Sequence, residues 1–236
     1  IGMIGAGKFA TMFLAQARNV PGIHIVGIVE LNPETARSNL SLVGWTVEQF
    51  SAANLDEAIT RGTTHISEDW SALIKHAGIN IIVECTGNPI AAVEHCLTAF
   101  TEGKHVINVT VEADAFCGAG LTAKAQAANV IYSMAYGDQP ALTAELVDWA
   151  RTSGFTVVAA GRGHKWLPHY RKSTPDTVWD HWGLTIEQAE RGRLNAKMFT
   201  AFLDGSKPAI ESAAIANATG LDAPAKGLAF PPGSID

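Results

Sequence analysis

The stretch IGMIGAGKFA, Ile1 to Ala10, decides how the rest of the chain is read. An apolar, β-branched run meets Gly5, Gly7 and Ala10 in the spacing G-x-G-x-x-G/A, directly ahead of the helix-like run FATMFLAQARNV. In that spacing Gly5 permits a tight turn, Gly7 lets the backbone approach a pyrophosphate, and the small Ala10 allows close helix-sheet packing. The N-terminus of the following helix then faces an anion, and Lys8 and Phe9 count with the motif as cofactor-binding candidates. A glycine-rich strand-to-helix turn in any parallel-sheet protein has the same pattern. The context favours a dinucleotide: the motif sits at the first strand, and Glu30 ends the second strand about twenty residues after it.

Outward from this stretch, short Val/Ile-rich runs alternate with helix-like ones: IHIVGIVEL and PETARSNLSLV, THIS and DWSALIKHAG, NIIVECTG and PIAAVEHCLTAFTEG, HVINVTV and GLTAKAQAA, then NVIYSMAYG. Such alternation is the signature of βαβ units. It predicts an α/β fold, a Rossmann-type doubly wound parallel sheet of six strands over residues 1–137, followed by a smaller α+β substrate or catalytic lobe over 138–236. In that lobe QPALTAELVDWARTSG and SKPAIESAAIANATG read as helices and FTVVAA as a strand. Between them HKWLPHYRKSTPDTVWDHWGLT, rich in Trp, His and Pro, reads as an ordered functional loop.

The formal net charge of −6 over 236 residues argues against nucleic acid or a membrane surface as partner, since a polyanion needs a basic face. A small partner is expected instead. Cys85, Cys96 and Cys117 are odd in number and lack CxxC spacing, which fits a reducing, cytoplasmic setting better than a disulfide framework. No apolar stretch is long enough to span a bilayer and no signal peptide is visible. The start at Ile1, already within a strand pattern, reads as trimmed, and the ending FPPGSID reads as a linker onward.

Glu30 could accept hydrogen bonds from both ribose hydroxyls and repel a 2′-phosphate, which favours NAD; Arg37, shortly after the second strand, could accommodate that phosphate, which favours NADP. Both cofactors stay open. Thr86 and Gly87 fall at the carboxyl end of the fourth strand, the edge where open α/β sheets bind ligands. Cys85 reads as packing, with no base paired to it. One short basic segment, AAGRGHKWLPHYRK, stands out in an acidic chain: Arg162, His164 and Lys165 fit an anion-binding loop after a strand, and a solvated basic turn fits as well. Lys207 lies in the first turn of a predicted helix, an unfavourable place for a cation that an anionic ligand would relieve, though an ion pair with Glu211 four residues on also explains it. Asp204 precedes that helix and could cap it. Glu112 and Asp114, and Asp138 beyond Gly137, could orient a hydroxyl, hold a divalent metal, or cap helices.

At GAGKFA, VECTG, NVTVEAD and YSMAYGDQP the chain resembles the homoserine dehydrogenase and glucose-fructose oxidoreductase group. It departs from homoserine dehydrogenases at Val111, Glu112, Ala113 and Asp114, where those carry a Thr-Ala-Asn-Lys-like sequence. VEAD, MAYGDQPAL, LVDWAR, AAGRGHKWLP and FLDGSKPAIESAAIANATGL are similar to the DXP reductoisomerase-like oxidoreductases, across nearly the whole chain. That resemblance implies NADPH-dependent reduction and isomerisation of 1-deoxy-D-xylulose 5-phosphate for isoprenoid precursors, a homodimer, and a further C-terminal domain. The expected enzyme is an NAD(P)H-dependent oxidoreductase of a small anionic substrate, with Lys165, Lys207, Glu112 and Asp138 as catalytic candidates and Arg162, His164 and Asp204 as substrate-binding ones. A simple homoserine-dehydrogenase-like dehydrogenase and a non-catalytic dinucleotide sensor are the alternatives.

Overall fold

In a computed structural model the described residues are 1–163, 166–192, 194–227 and 229; they divide into two units, Ile1–Asp138 and Gln139–Asp236. The first unit is built on six parallel strands: β1 (Gly2–Ile4), β2 (Gly27–Val29), β3 (His65–Ser67), β4 (Ile81–Glu84), β5 (His105–Asn108) and β6 (Tyr132–Met134). Their order is β3-β2-β1-β4-β5-β6, the doubly wound arrangement in which the strand order reverses between β1 and β4. Register places Ile4 beside Val29 and Glu84, and Glu84 beside Asn108. Runs such as IIV carry no alternation because parallel strands are covered on both faces.

Side-chain alternation along the strands separates two cores. Met3, Ile28 and Val83 pack with Ala10 and Leu14 of α1 (Lys8–Ala17) and Ala36 and Leu40 of α2 (Pro33–Leu42). Ile4, Ile82 and Val106 pack among α3 (Leu55–Arg61), α4 (Trp70–Lys75), α5 (Pro89–Thr101) and α6 (Val111–Ala127). Side-chain caps start four of these helices: Asn32 for α2, Asn54 for α3, Asp69 for α4 and Asn88 for α5, with Pro33 and Pro89 at the first helical position. The strand expected over HVINVTV stops at Asn108, and helix begins at Val111, nine residues before the expected GLTAKAQAA. Nothing in the alternation had marked α3.

The second unit differs from the expected α+β lobe. Among its described residues there is no strand; α7 (Gln139–Thr152), α8 (Val178–Trp182), α9 (Ile186–Arg191), α10 (Ala196–Asp204) and α11 (Ser206–Thr219) are joined by a 3₁₀ turn at Pro168–Lys172 and by coil. FTVVAA, 155–160, is coil, with Phe155 62% and Val158 90% exposed. β-branched residues favour a paired, half-buried surface, and no strand among the described residues of this unit offers one. In the Trp-rich segment, residues 166–185 contain that 3₁₀ turn and α8. Tyr170, Val178 and Leu203 form a small core, against which Trp166, Trp179 and Phe199 pack.

Candidate functional site

The turn between β1 and α1 lies at the carboxyl edge of the sheet. Gly5 has φ +99°, and a Cβ there would stand 2.7 Å from the Cys85 carbonyl oxygen, so this position requires glycine. A Cβ on Gly7 would meet nothing within 4 Å, which leaves the approach to the turn open. Gly7, at the N-cap of α1, gives no side-chain hydrogen bond, and the first turn, starting at Lys8 and the half-exposed Phe9, contains no acidic residue. A helix start in that condition suits an external anion, and the buried Ala10 lets α1 lie close on the sheet.

Two side chains hold the turn from behind. Glu30 accepts the Ala6 N–H through Oε2 at 2.7 Å and the Leu31 N–H through Oε1 at 2.9 Å. Asn39 of α2 donates to the Ala6 carbonyl at 2.7 Å. Glu30 was expected to meet only ribose hydroxyls; it also clamps the glycine turn, and its remaining lone pairs are what a ribose would find. Asn39 was not expected at all. Arg37, the candidate for a 2′-phosphate, lies 3.2 Å from Glu34, one turn back on the exposed side of α2.

At the ends of β4 and β5 a second polar cluster forms. The wholly buried Glu84 accepts from Thr86 Oγ1 at 2.6 Å and from Thr110 Oγ1, and the buried His95 ring lies 3.2 Å away through Nδ1. Cys85 donates its thiol to the Ile4 and Gly5 carbonyls, and burial pushes its pKa upward, so it acts as a packed thiol and not as a nucleophile. A charged residue inside the otherwise apolar run IIVEC was the available signal for Glu84.

Glu112 and Asp114, read together as a carboxylate pair, part company in the fold. Glu112 stays half-buried in the first turn of α6, while Asp114 is buried and accepts from Tyr132 Oη at 2.7 Å and Asn108 Nδ2 at 2.8 Å. Burial raises the Asp114 pKa to about 6, against the two hydrogen bonds, which lower it; the charges of Asp138 and Glu112 add to the rise. Asp138 closes a turn by donating its N–H to Ala135. Among the described residues no cluster of three or more His, Cys, Asp or Glu is placed to hold a metal ion.

In the second unit, Arg162 forms an ion pair with Glu211 of α11 and donates to Gln139. Glu211, read from the sequence as a surface partner of Lys207, is buried and forms an ion pair with Arg162. Lys207 is half-buried in the first turn of α11, and Asp204 accepts from the Ser206 N–H at 2.8 Å, holding the entry to that helix. His164 and Lys165 lie outside the described residues. The exposed Arg171 has its guanidinium carbon 5.2 Å from the centre of the Trp166 ring. No described helix is long and apolar enough to cross a membrane.

Residues 2–135 match the family model described as homoserine dehydrogenase, NAD binding domain. The chain belongs to that family. Residues 137–236 match a second model, oxidoreductase DRL, catalytic domain. No curated protein matches the sequence. Among solved structures, this member of the NAD-binding family is similar to a homoserine dehydrogenase from Thiobacillus denitrificans, at 20% identity and TM-score 0.45, over 56% of this chain and 28% of that one. It is similar to the WlbA dehydrogenase from Bordetella pertussis in complex with NADH and UDP-GlcNAcA, at 17% identity and TM-score 0.45, over 65% and 42%. A biliverdin reductase from Synechocystis, in complex with biliverdin and NADP+, is similar at 15% identity and TM-score 0.42, over 64% and 41%. The chain thus spans 28–42% of the length of these structures.

Proposed function

We propose that this chain is the nucleotide-binding and catalytic part of a nicotinamide-dependent oxidoreductase that takes NAD(H) in preference to NADP(H) and acts on a small anionic carbonyl or alcohol. The observation that carries the reading is the Gly5–Gly7 turn: it opens onto an uncapped helix start at the point where the strand order reverses, with Glu30 fixed at the end of the neighbouring strand. The first-turn N–H groups of α1 would take the pyrophosphate and Glu30 the adenosine ribose. When bound, the nicotinamide supplies or accepts hydride. Because the Glu30 carboxylate is held by two backbone N–H groups, it cannot swing aside for a 2′-phosphate without giving both up.

Carbonyl reduction also needs a cation or proton donor at the developing alkoxide and a group for the substrate's anionic end. Lys165 and Lys207 are the proposed candidates for these tasks, and Glu112 and Asp138, beyond β5 and β6, are the proposed carboxylates of the first unit. Arg162, engaged with Glu211, is given a structural part in this reading. A homodimer and the sugar phosphate 1-deoxy-D-xylulose 5-phosphate remain the finer proposals drawn from the resemblance. Titration of the protein with NADH and NADPH, followed by nicotinamide absorbance over a panel of sugar phosphates and hydroxy acids, tests the reading. NADH should bind more tightly, and Lys165→Ala should abolish turnover while leaving cofactor affinity intact. Tighter NADPH binding overturns the cofactor preference, and cofactor binding without turnover on any substrate favours a dinucleotide sensor.

A further inference from the structure

Glu84 sits at the ligand edge of the central strand β4, yet it exposes none of its surface. A buried carboxylate is tolerated only when its oxygens are satisfied, and here they are satisfied by side chains from two different strand ends. Thr86 follows β4 and donates its hydroxyl to Oε1; Thr110 follows β5 and donates to Oε2. With both hydroxyl protons drawn to the carboxylate, the hydroxyl lone pairs point the other way. Thr110 Oγ1 accepts the Gly87 N–H at 3.0 Å, and Thr86 Oγ1 accepts the Asn88 N–H at 3.2 Å. Asn88 in turn caps α5 through the N–H groups of Ile90 and Ala91. The turn so held contains Gly87, at φ +70°, where a Cβ would find nothing within 4 Å.

We propose that Glu84 is a positioning residue: through the hydroxyls of Thr86 and Thr110 it fixes the Thr86–Gly87 turn as the floor for the nicotinamide half of the cofactor. The inference rests on the dinucleotide reading above. Glu30 assigns the β2 side of the reversal point to adenosine, so the β4–β5 side is left for the nicotinamide ribose and ring. Glu84 touches neither; it acts by deciding the direction of four hydrogen bonds. His95, against the same carboxylate and 4.8 Å from the Trp70 ring, closes the cluster from the α5 side.

Thr110→Val removes one hydroxyl at nearly constant volume, and ADP is a ligand that lacks both the nicotinamide ribose and the ring. The two separate positioning from plain structure. Affinities of the intact chain for NADH and for ADP are measured by fluorescence or calorimetry, with thermal unfolding alongside. Thr110→Val should weaken NADH about tenfold, the worth of about one buried hydrogen bond, and leave ADP within about twofold. Thr110→Ser, which restores the hydroxyl, should recover NADH affinity, and Thr86→Val should repeat the pattern should Thr110→Val fail to fold. Equal weakening of both ligands, unchanged affinity for both, or no recovery in Thr110→Ser overturns the proposal. A wild-type chain that binds neither ligand overturns the dinucleotide reading itself, and the positioning role falls with it.

Discussion

At Gly5 a single hydrogen atom decides whether the turn can close. Gly5→Ala would force an L side chain to φ +99° against the Cys85 carbonyl, a cost of about 1–3 kcal/mol in strain alone. A lowered melting temperature together with loss of NADH binding is the expected result. Glu30→Ala should loosen NADH and narrow the gap between NADH and NADPH, because the fixed charge facing a 2′-phosphate is gone; a gap that stays the same in paired titrations counts against Glu30 as the discriminator. Asp114 makes a prediction about pH. Its folded pKa, raised to about 6, exceeds the ordinary carboxylate value of about 3.9, so the folded state holds the extra proton. The associated stability is fully present below about pH 4 and is lost as pH rises through about 6, in all roughly 3 kcal/mol at most. Asp114→Asn should lack this loss, and melting temperatures of the two proteins from pH 4 to 7 measure it.

At the scale of elements, the same propensities gave opposite outcomes in the two units. The runs IGMI and IIVE became strands because each has a parallel neighbour in register, whereas FTVVAA, with equal β-branched character, found none and stayed coil. What holds that segment's end is the Arg162–Glu211 ion pair onto α11. Removing one partner of a buried pair leaves the other charge uncompensated, so Arg162→Ala should cost about 3–5 kcal/mol in urea unfolding. Wild-type stability with weakened substrate binding in that variant would return Arg162 to the substrate. Capping residues were legible in outline: Asn32-Pro33 and Asn88-Pro89 announce helix starts by local chemistry. Helix α3, in the stretch between α2 and β3 that the alternation passed over, was not.

Across the whole molecule, the two units differ in how much core each can claim. Among the described residues, the first buries two large apolar clusters, one on each face of its sheet, while Tyr170, Val178 and Leu203 form the buried centre of a small cluster in the second, and Val158 of its coil is 90% exposed. Local opening follows low burial. Limited proteolysis should therefore cut first within Phe155–Gly163, leaving an amino-terminal fragment that still binds NADH, since the Gly5–Gly7 turn, Glu30, Asn39 and the Glu84 cluster all belong to the first unit. A first cut inside residues 1–138 would contradict this.

The sequence by itself determined the sheet, its six parallel strands, the glycine turn and the acidic end of the second strand. These rest on period, composition and turn chemistry, which act over a few residues and are written in order along the chain. Only the tertiary structure decided which polar groups meet. Asn39 reaches Ala6 across 33 residues, Thr110 reaches Glu84 across 26, and Asp114 leaves Glu112 to join Tyr132 and Asn108. The physical reason is that a buried donor or acceptor must find a partner wherever the packing brings one, and no local pattern records which partner that will be.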